Sequence, residues 1–404
     1  MGFFDRFNLG SKEIQTEIPG VSMIGDNIYS VSALELSDLN SYYPSSIYTW
    51  YTGGKRWVPF GKNNLFPVQL ADLYYSSPLH STIIEMKSKI LAGEVDLSLL
   101  PQRDVQLLNI LFGRGTSMSY KVREMAIDWY IFGAFSLEII WNANFTAISK
   151  VNRIPVMNVR LGIENARRES EMYYYSNDWR NVYNTTSQVV EIPRFDVNNK
   201  KDQAQLLYVK NPSLDGRYYG VPGYTSGLNS IAADAAISLY QLAIIENGFN
   251  PGLVIKFYKK PNSPEQKREI IDGLDRTYGG KKKAGKVMVM FSDGKELAPD
   301  VSPIDVSNLD KQFTVLESSI TEKIIFSHNA VSGILYGKTT SGQLGTSNEF
   351  MNADAILDAR VVSPDRILFE ETLNSLLSIN GIGQIKLKSI PVSLQVDQKT
   401  TPTK

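Results

Sequence analysis

Over the first sixty positions polar and apolar residues follow no steady period, and Tyr, Ser, Gly and Asn are frequent. This stretch reads as an extended N-terminal arm, 1–60. A helical period then sets in. Ser77-Pro78 places an N-cap before a proline at the first helical position, and Leu79, Ile83, Ile84, Ile90 and Leu91 recur on one face up to Gly93. A second helix is predicted over 117–132, with Val122, Met125, Ala126, Trp129 and Tyr130 as its apolar stripe. From Ala134 to Lys210 the pattern turns to strands. Leu137 to Trp141 is an apolar-rich strand. Met172-Tyr173-Tyr174-Tyr175, then Ser176-Asn177-Asp178, then Trp179 reads as a hairpin of aromatic strands around a turn. Leu206 to Val209 closes an α+β unit.

The next pattern is different. After the turn cluster Tyr218 to Gly223, a long helix is predicted to about Asn247. Leu228, Ile231, Ala235, Leu239 and Leu242 form one stripe, and Ile237, Tyr240, Ile244 and Ile245 another; Asp234 is the only charge between Thr225 and Ile245. A helix apolar on most sides must be covered on most sides, either as the central helix of one large core or as a helix packed between neighbouring subunits. A compact βαββ unit follows. Leu253 to Tyr258 is a strand, Ser263-Pro264-Glu265-Gln266 is a capping box, Ile270, Ile271, Leu274 and Tyr278 mark a helix, and Lys286 to Phe291 is a second strand before the turn Ser292 to Lys295. Another long helix carries Leu309, Phe313, Leu316, Ile320 and Ile324 on one face. A flexible polar loop, 337–348, leads to a last helix over 349–379. Pro364 lies inside that helix, which predicts a kink near Ser363.

Composition narrows the chemistry. The chain has 404 residues, 42 Lys+Arg against 42 Asp+Glu, two His and no Cys. Thiolate chemistry, disulfides and Cys-ligated zinc are excluded. His80 and His328 stand far apart, in no metal-ligand spacing, and read as structural. Zero net charge argues against coating nucleic acid through bulk basicity. No run of about 18 apolar residues predicts a transmembrane helix. The N-terminus lacks a signal-peptide core, and Arg6 occupies the position where myristoylation requires Ser or Thr. The sequons at Asn144 and Asn184 read as chance matches.

One motif imitates a nucleotide site. Gly333-Ile334-Leu335-Tyr336-Gly337-Lys338-Thr339 has three residues between its glycines where a phosphate-binding loop needs four, and it follows a predicted helix rather than a strand. Glu370-Glu371 and Glu265 with Glu269 read as solvated pairs, and Glu138 as an outward-facing strand residue. Lys281, Lys282, Lys283 and Lys286 form a basic cluster. In one chain it reads as a solvated turn, and repeated around a ring it becomes a belt able to meet phosphates or an acidic partner.

The order of these parts resembles the portal proteins of tailed double-stranded DNA bacteriophages. The resemblance is carried by Met1-Gly2-Phe3-Phe4-Asp5-Arg6-Phe7, by Asn64 to Leu73 with Ser77-Pro78-Leu79, by Tyr219-Gly220-Val221-Pro222-Gly223, by Glu246 to Gly252, and by Thr277-Tyr278-Gly279-Gly280 with Ala284 to Val287 and Asp293-Gly294. It implies an α+β portal fold assembled as a dodecameric ring. A wing would span 61–216, the two stem helices 217–250 and 307–333, and a clip between them 251–306. A tunnel loop would span 334–348, a kinked tunnel helix with a short crown 349–380, and a C-terminal tail 381–404. The usual proline after the second stem helix is missing from Asn329 to Gly333.

The resemblance further implies a channel at one capsid vertex for DNA packaging, retention and ejection. Lys338, Thr339, Thr340, Ser341 and Gln343 would line it, meeting double-stranded DNA without sequence preference. Lys281, Lys282, Lys283 and Lys286 would face the packaging motor, the adaptor or DNA. Leu228, Ile231, Leu239, Leu242, Phe313, Leu316 and Ile320 would pack subunits together. Expected partners are the terminase large subunit, a head–tail adaptor, the major capsid protein and scaffold. No membrane, cofactor, metal or catalysis is expected. Assembly would take place in the host bacterial cytoplasm. The competing reading is a nucleotide-hydrolysing DNA-packaging or DNA-processing enzyme, which the defective loop and the lack of an acidic metal cluster disfavour.

Overall fold

The structure, a computed structural model, describes residues 56–61, 64–167, 169–182, 189–198, 202–212, 218–246, 253–259, 287–291, 309–337 and 347–390. It also describes 21–23, 29–31 and the single positions 261, 263, 266, 268 and 270. In the arm, β1 (Val21–Met23) pairs antiparallel with β2 (Tyr29–Val31).

The body opens with α1 (Phe66–Ser76) and α2 (Pro78–Ala92). The caps of α2 are those its sequence predicts. Ser77 accepts the His80 N–H at 3.3 Å, Pro78 needs no N–H at that position, and Gly93 ends the helix at φ 43. Any side chain at Gly93 would also collide with the carbonyl of Lys388, 2.0 Å from where its Cβ would sit. Glycine is thus required here both for the turn and for the approach of the C-terminal strand.

After β3 (Glu94–Asp96) and α3 (Gln102–Leu111), α4 (Met118–Phe132) starts at an N-capping Ser117 and stops at Gly133. It feeds β4 (Ala134–Trp141), the centre of an antiparallel sheet with β5 (Ile148–Ile154) and β9 (Ala204–Lys210). A second antiparallel sheet orders β6 (Val159–Leu161), β7 (Met172–Tyr175) and β8 (Val190–Pro193).

This second sheet corrects the aromatic hairpin. Met172 to Tyr175 pairs with β6 and β8, not across the turn to Trp179. Ser176 and Asp178 accept nearby backbone N–H groups and curl the chain. Trp179 turns inward instead, donating Nε1–H to the Asn158 carbonyl at 2.9 Å and lying under the Arg160 guanidinium.

Two long helices leave and re-enter this body. A 3-10 turn at Thr225–Gly227 opens α5 (Leu228–Glu246), and α6 (Leu309–Ser327) returns. Between them β10 (Leu253–Phe257) and β11 (Val287–Phe291) pair in parallel, Leu253 opposite Val287 and Phe257 opposite Phe291. A parallel pair needs a crossover. Helical positions 266, 268 and 270 lie in it, and Ser263 accepts the Gln266 N–H as the capping box requires.

The last part of the chain completes the body. α7 (Ser347–Leu357) runs through a π-helical turn, Asp358–Val362, into α8 (Ser363–Ile379). The wide turn falls just before Pro364. There the Ser363 N–H reaches back five residues to the Asp358 carbonyl, so the proline's missing N–H is absorbed by a bulge. Residues 382–388, expected in a tail, are built into the body: Ile382, Ile385 and Leu387 are buried, and β12 (Lys386–Lys388) pairs antiparallel with β3. Glu370 is not simply solvated either, since it accepts the Leu387 N–H at 2.6 Å.

Two cores hold the body. One joins Leu91, Val122, Trp129, Phe135, Ile139 and Trp141 to Phe369, Leu373 and Leu376 of α8. The other joins Phe60, Phe66, Ile83 and Tyr219 to Leu228 and Ile231 of α5 and Ile320 and Ile324 of α6. Val58 and Phe60, assigned by sequence to the arm, are therefore core residues.

Candidate functional site

The stripe residues of α5 and α6 divide by their distance from the body. Near the root, Leu228, Ile231 and Ile320 are buried in the chain's own second core. The expectation that these three pack subunits together is therefore corrected, because their own chain already covers them. Farther out, Leu239 is 57% exposed, Leu242 51%, Val315 70% and Leu316 48%. The side chain of Phe313 lies outside the described residues. Bare apolar surface thus lies on the outer halves of both helices, and Phe326, 83% exposed, adds to it in the last turn of α6.

The roots of the helices meet closely. A Cβ at Gly227 would stand 2.1 Å from the Ser327 Oγ, so the start of α5 and the end of α6 touch with no room for a side chain. Asp234, the only charge of α5 before its last residue, Glu246, accepts the Ser77 hydroxyl at 2.6 Å and so ties α5 to the cap of α2.

Beneath these roots the chain's only two histidines come together. Nδ1 of His80 and Nε2 of His328 are 2.8 Å apart and both rings are buried. Tyr224 stacks on His328 and meets His80 edge-on, and its hydroxyl donates to the Ile131 carbonyl at 2.7 Å. Burial pushes the His80 imidazole down to about 3. Burial also drives His328 well below the ordinary range, helped by the neighbouring His80 and Lys87. Both rings are therefore neutral at pH 7, one donating to the other.

Lys87 lies on the same face of α2, seven residues on from His80. Its Nζ donates to the His328 carbonyl at 2.6 Å and sits 5.2 Å from the centre of the Tyr130 ring. Burial lowers this ammonium to about 8, against the pull of Asp365. Asp365 is itself raised, chiefly by burial. Lys87, Tyr130, His328, Arg360, Pro364 and Asp365 share the wall of a cavity of about 270 Å³. Arg366 pins the facing helix from behind, donating to the Ile90 carbonyl at 2.8 Å and pairing with Asp358.

The imitation phosphate loop does not look like one. Gly333–Tyr336 is a 3-10 turn after α6, with Ser332 capping it and Gly337 ending it. Lys338, Thr339, Thr340, Ser341 and Gln343 lie outside the described residues, as do Lys281, Lys282, Lys283 and Lys286. Glu138 accepts a hydrogen bond from Asn152 across the β4–β5 pair. Among the described residues no group of three His, Asp or Glu side chains could hold a metal ion, and no helix is long and apolar enough to cross a membrane. The histidine–lysine junction is what sequence reasoning missed. Its members are 248 positions apart, and only their placement on otherwise apolar helix faces hinted at burial.

This arrangement has likenesses among solved structures, and they concern the fold. A protein of the virion of a native gene transfer agent particle is similar over 82% of this chain and 84% of its own, with 16% identity and a TM-score of 0.52. A protein from the neck of an empty gene transfer agent particle covers 80% and 84%, at 15% identity and TM-score 0.52. A portal protein of an HK97-family phage from Corynebacterium diphtheriae is a looser likeness, with 12% identity, TM-score 0.44, and 79% and 95% covered. Among curated proteins none matches the sequence. The fold is thus one shared with proteins of gene transfer agent particles. The family follows from sequence: the phage portal protein family matches residues 106–335, more than half of the chain, and the chain belongs to it.

Proposed function

We propose that this chain is the subunit of a portal ring, dodecameric as its family resemblance implies, around an axial channel at one capsid vertex. Double-stranded DNA is packaged, retained and ejected through that channel. The α+β body is the wing, α5 and α6 are the stem, and β10 and β11 with their crossover are the clip. The clip docks the terminase large subunit and later the head–tail adaptor, and the wing meets the major capsid protein and scaffold. Positions 337–348 are the tunnel loop. Assembly belongs to the host cytoplasm and the finished ring to the virion. The family is structural rather than enzymatic, and the chain's work is mechanical.

The observation that carries this reading is the exposed apolar surface of Leu239, Leu242, Val315 and Leu316 on the outer halves of α5 and α6. Full burial of each such side chain is worth about 1.5–3 kcal/mol. A ring covers both flanks of every stem and repeats that gain around the circle.

Electron microscopy of the purified protein is the test. Rings with a central hole wide enough for duplex DNA are expected, and the double substitution Leu239→Glu with Leu316→Glu should leave monomers. A wild-type chain that stays monomeric at micromolar concentration across salt conditions would sink the proposal. Deleting 337–348 should leave rings intact while impairing packaging or DNA retention; loss of the rings would remove the tunnel-loop assignment.

A further inference from the structure

Two irregular helix ends face each other across the cavity at the junction. On one side α6 ends in a Schellman-type turn: Asn329 takes φ 50, and the Ala330 N–H bonds the Ile325 carbonyl at 3.0 Å. Val331 follows at φ 59, a conformation that a β-branched residue rarely adopts. On the other side, the π-helical turn Asp358–Val362 precedes Pro364. Ser327, His328 and Asn329 line the cavity from the first side, and Val361, Pro364 and Asp365 from the second.

A close-packed joint would hold both ends by van der Waals contact alone. Here an open volume separates them, and one buried amine stands between. Lys87 Nζ holds the last carbonyl of the α6 turn directly. The Asp365 carboxyl acts on the same ammonium from the far side. The base of α2 is in turn fixed to both neighbours, to His328 through His80 and to α5 through Ser77 and Asp234. A helix end released from Lys87 has a strained residue behind it and a cavity before it, so it has both cause and room to move.

We propose that Lys87 is a latch coupling these two helix ends, so that a shift of the α6 terminus is passed to the π-helical turn, and the reverse. The coupling is built into a single chain and does not depend on the ring. Its elements are a strained turn, a wide turn and one lysine that contacts the first and shares a cavity wall with Val361 of the second and with Asp365 just beyond it. This is a two-position joint rather than a rigid weld.

Hydrogen exchange with mass spectrometry on the full chain tests it. In Lys87→Met, peptides covering 322–331 and 354–366 should both exchange roughly tenfold faster, while 134–141 stays protected. Faster exchange confined to 322–331, or unchanged exchange at both ends, overturns the latch. If Lys87→Met also loses protection at 134–141, the fold itself has failed and Val331→Asn decides. Asparagine accepts the left-handed conformation, so exchange should slow at 322–331 and change at 354–366 too. An effect confined to the neighbourhood of 331, or none, overturns the coupling.

Discussion

The body and the paired helices α5 and α6 solve the burial problem in opposite ways. In the body each large apolar side chain of the two cores has partners from its own chain, and even the buried charges are tied down. Arg160 is fully buried, and it donates to the Asn64 carbonyl at 2.7 Å and to the carbonyls of Val159 and Met157 at 2.8 and 3.0 Å. The outer halves of the helices carry leucines, Leu239, Leu242 and Leu316, that are left about half exposed. The cores of the body close within one chain, whereas the outer helices leave apolar side chains exposed, the surface that the proposed ring would cover. That difference separates the stability of this chain from its assembly, and each can be perturbed alone.

The largest effect should come from the body. Arg160→Met keeps the aliphatic stem but leaves three carbonyls without their donor, and unsatisfied buried groups cost about 1–3 kcal/mol each. A loss of about 3 kcal/mol or more is expected in denaturant unfolding. A change below 1 kcal/mol would mean that the knot around Arg160 is not part of what holds the body together.

The joint between the two regions should respond to acid. The folded pKa of His80 lies below its unfolded value of 6.5, so the unfolded chain binds the proton first. The stability tied to the neutral ring is complete above pH 6.5 and falls as pH drops toward 3. At pH 5 the loss from His80 alone is about 2 kcal/mol, and His328 adds to it in the same direction. Unfolding midpoints measured between pH 7.5 and 5 should fall accordingly. The double variant His80→Gln with His328→Gln should show a flatter profile, and an equally steep one would place the acid sensitivity elsewhere.

A smaller effect on stability is expected from the outer helices. Leu239→Ala should move the unfolding midpoint of the isolated chain by no more than about 0.5 kcal/mol, yet weaken self-association by sedimentation or mass photometry. A large loss of monomer stability would show that the helix is covered within its own chain, and the contrast between the regions would fail. Smallest of all is Arg56→Ala. Arg56 pairs with Glu191 at an exposed edge of the body, its side chain 73% exposed. Removing it should leave the midpoint unchanged within error, and a measurable loss would make the rim of the body more cooperative than its exposure suggests.

What could be read from the sequence follows the range of the forces involved. The ends of α2 were legible because Ser77, Pro78 and Gly93 act on their own neighbours. The core strand at β4 was legible because its apolar run is local. The partners of Met172 to Tyr175 were not, because strand pairing is decided by distant register and by the local side-chain bonds that curl 176–181. The helix break was foreseen from Pro364, but its form as a wide turn depends on Arg366 and on the helix packed against it. The sequence marks α5 as apolar on most sides and therefore in need of cover. How far up the helices the body itself supplies that cover was invisible, since it depends on where Phe60, Tyr219 and Ile324 meet in space. The histidine pair lay beyond reach for the same reason.

The C-terminal segment has a consequence for the time at which this molecule becomes itself. β12 closes on β3, Gly93 makes room for Lys388, and Asn380 clasps Ile148 with both ends of its amide, at 2.7 and 2.8 Å. The first core therefore lacks one wall until residues near 388 have left the ribosome. By then α5 and α6, lying between the two halves of the body in sequence, have already emerged with their leucines exposed. Closure across so much intervening chain is a high-contact-order step and a slow one. A nascent chain thus spends its synthesis as an unfinished body carrying adhesive helices. Mutations that delay the docking of α8 should raise aggregation during synthesis well before they lower the equilibrium stability of the finished fold.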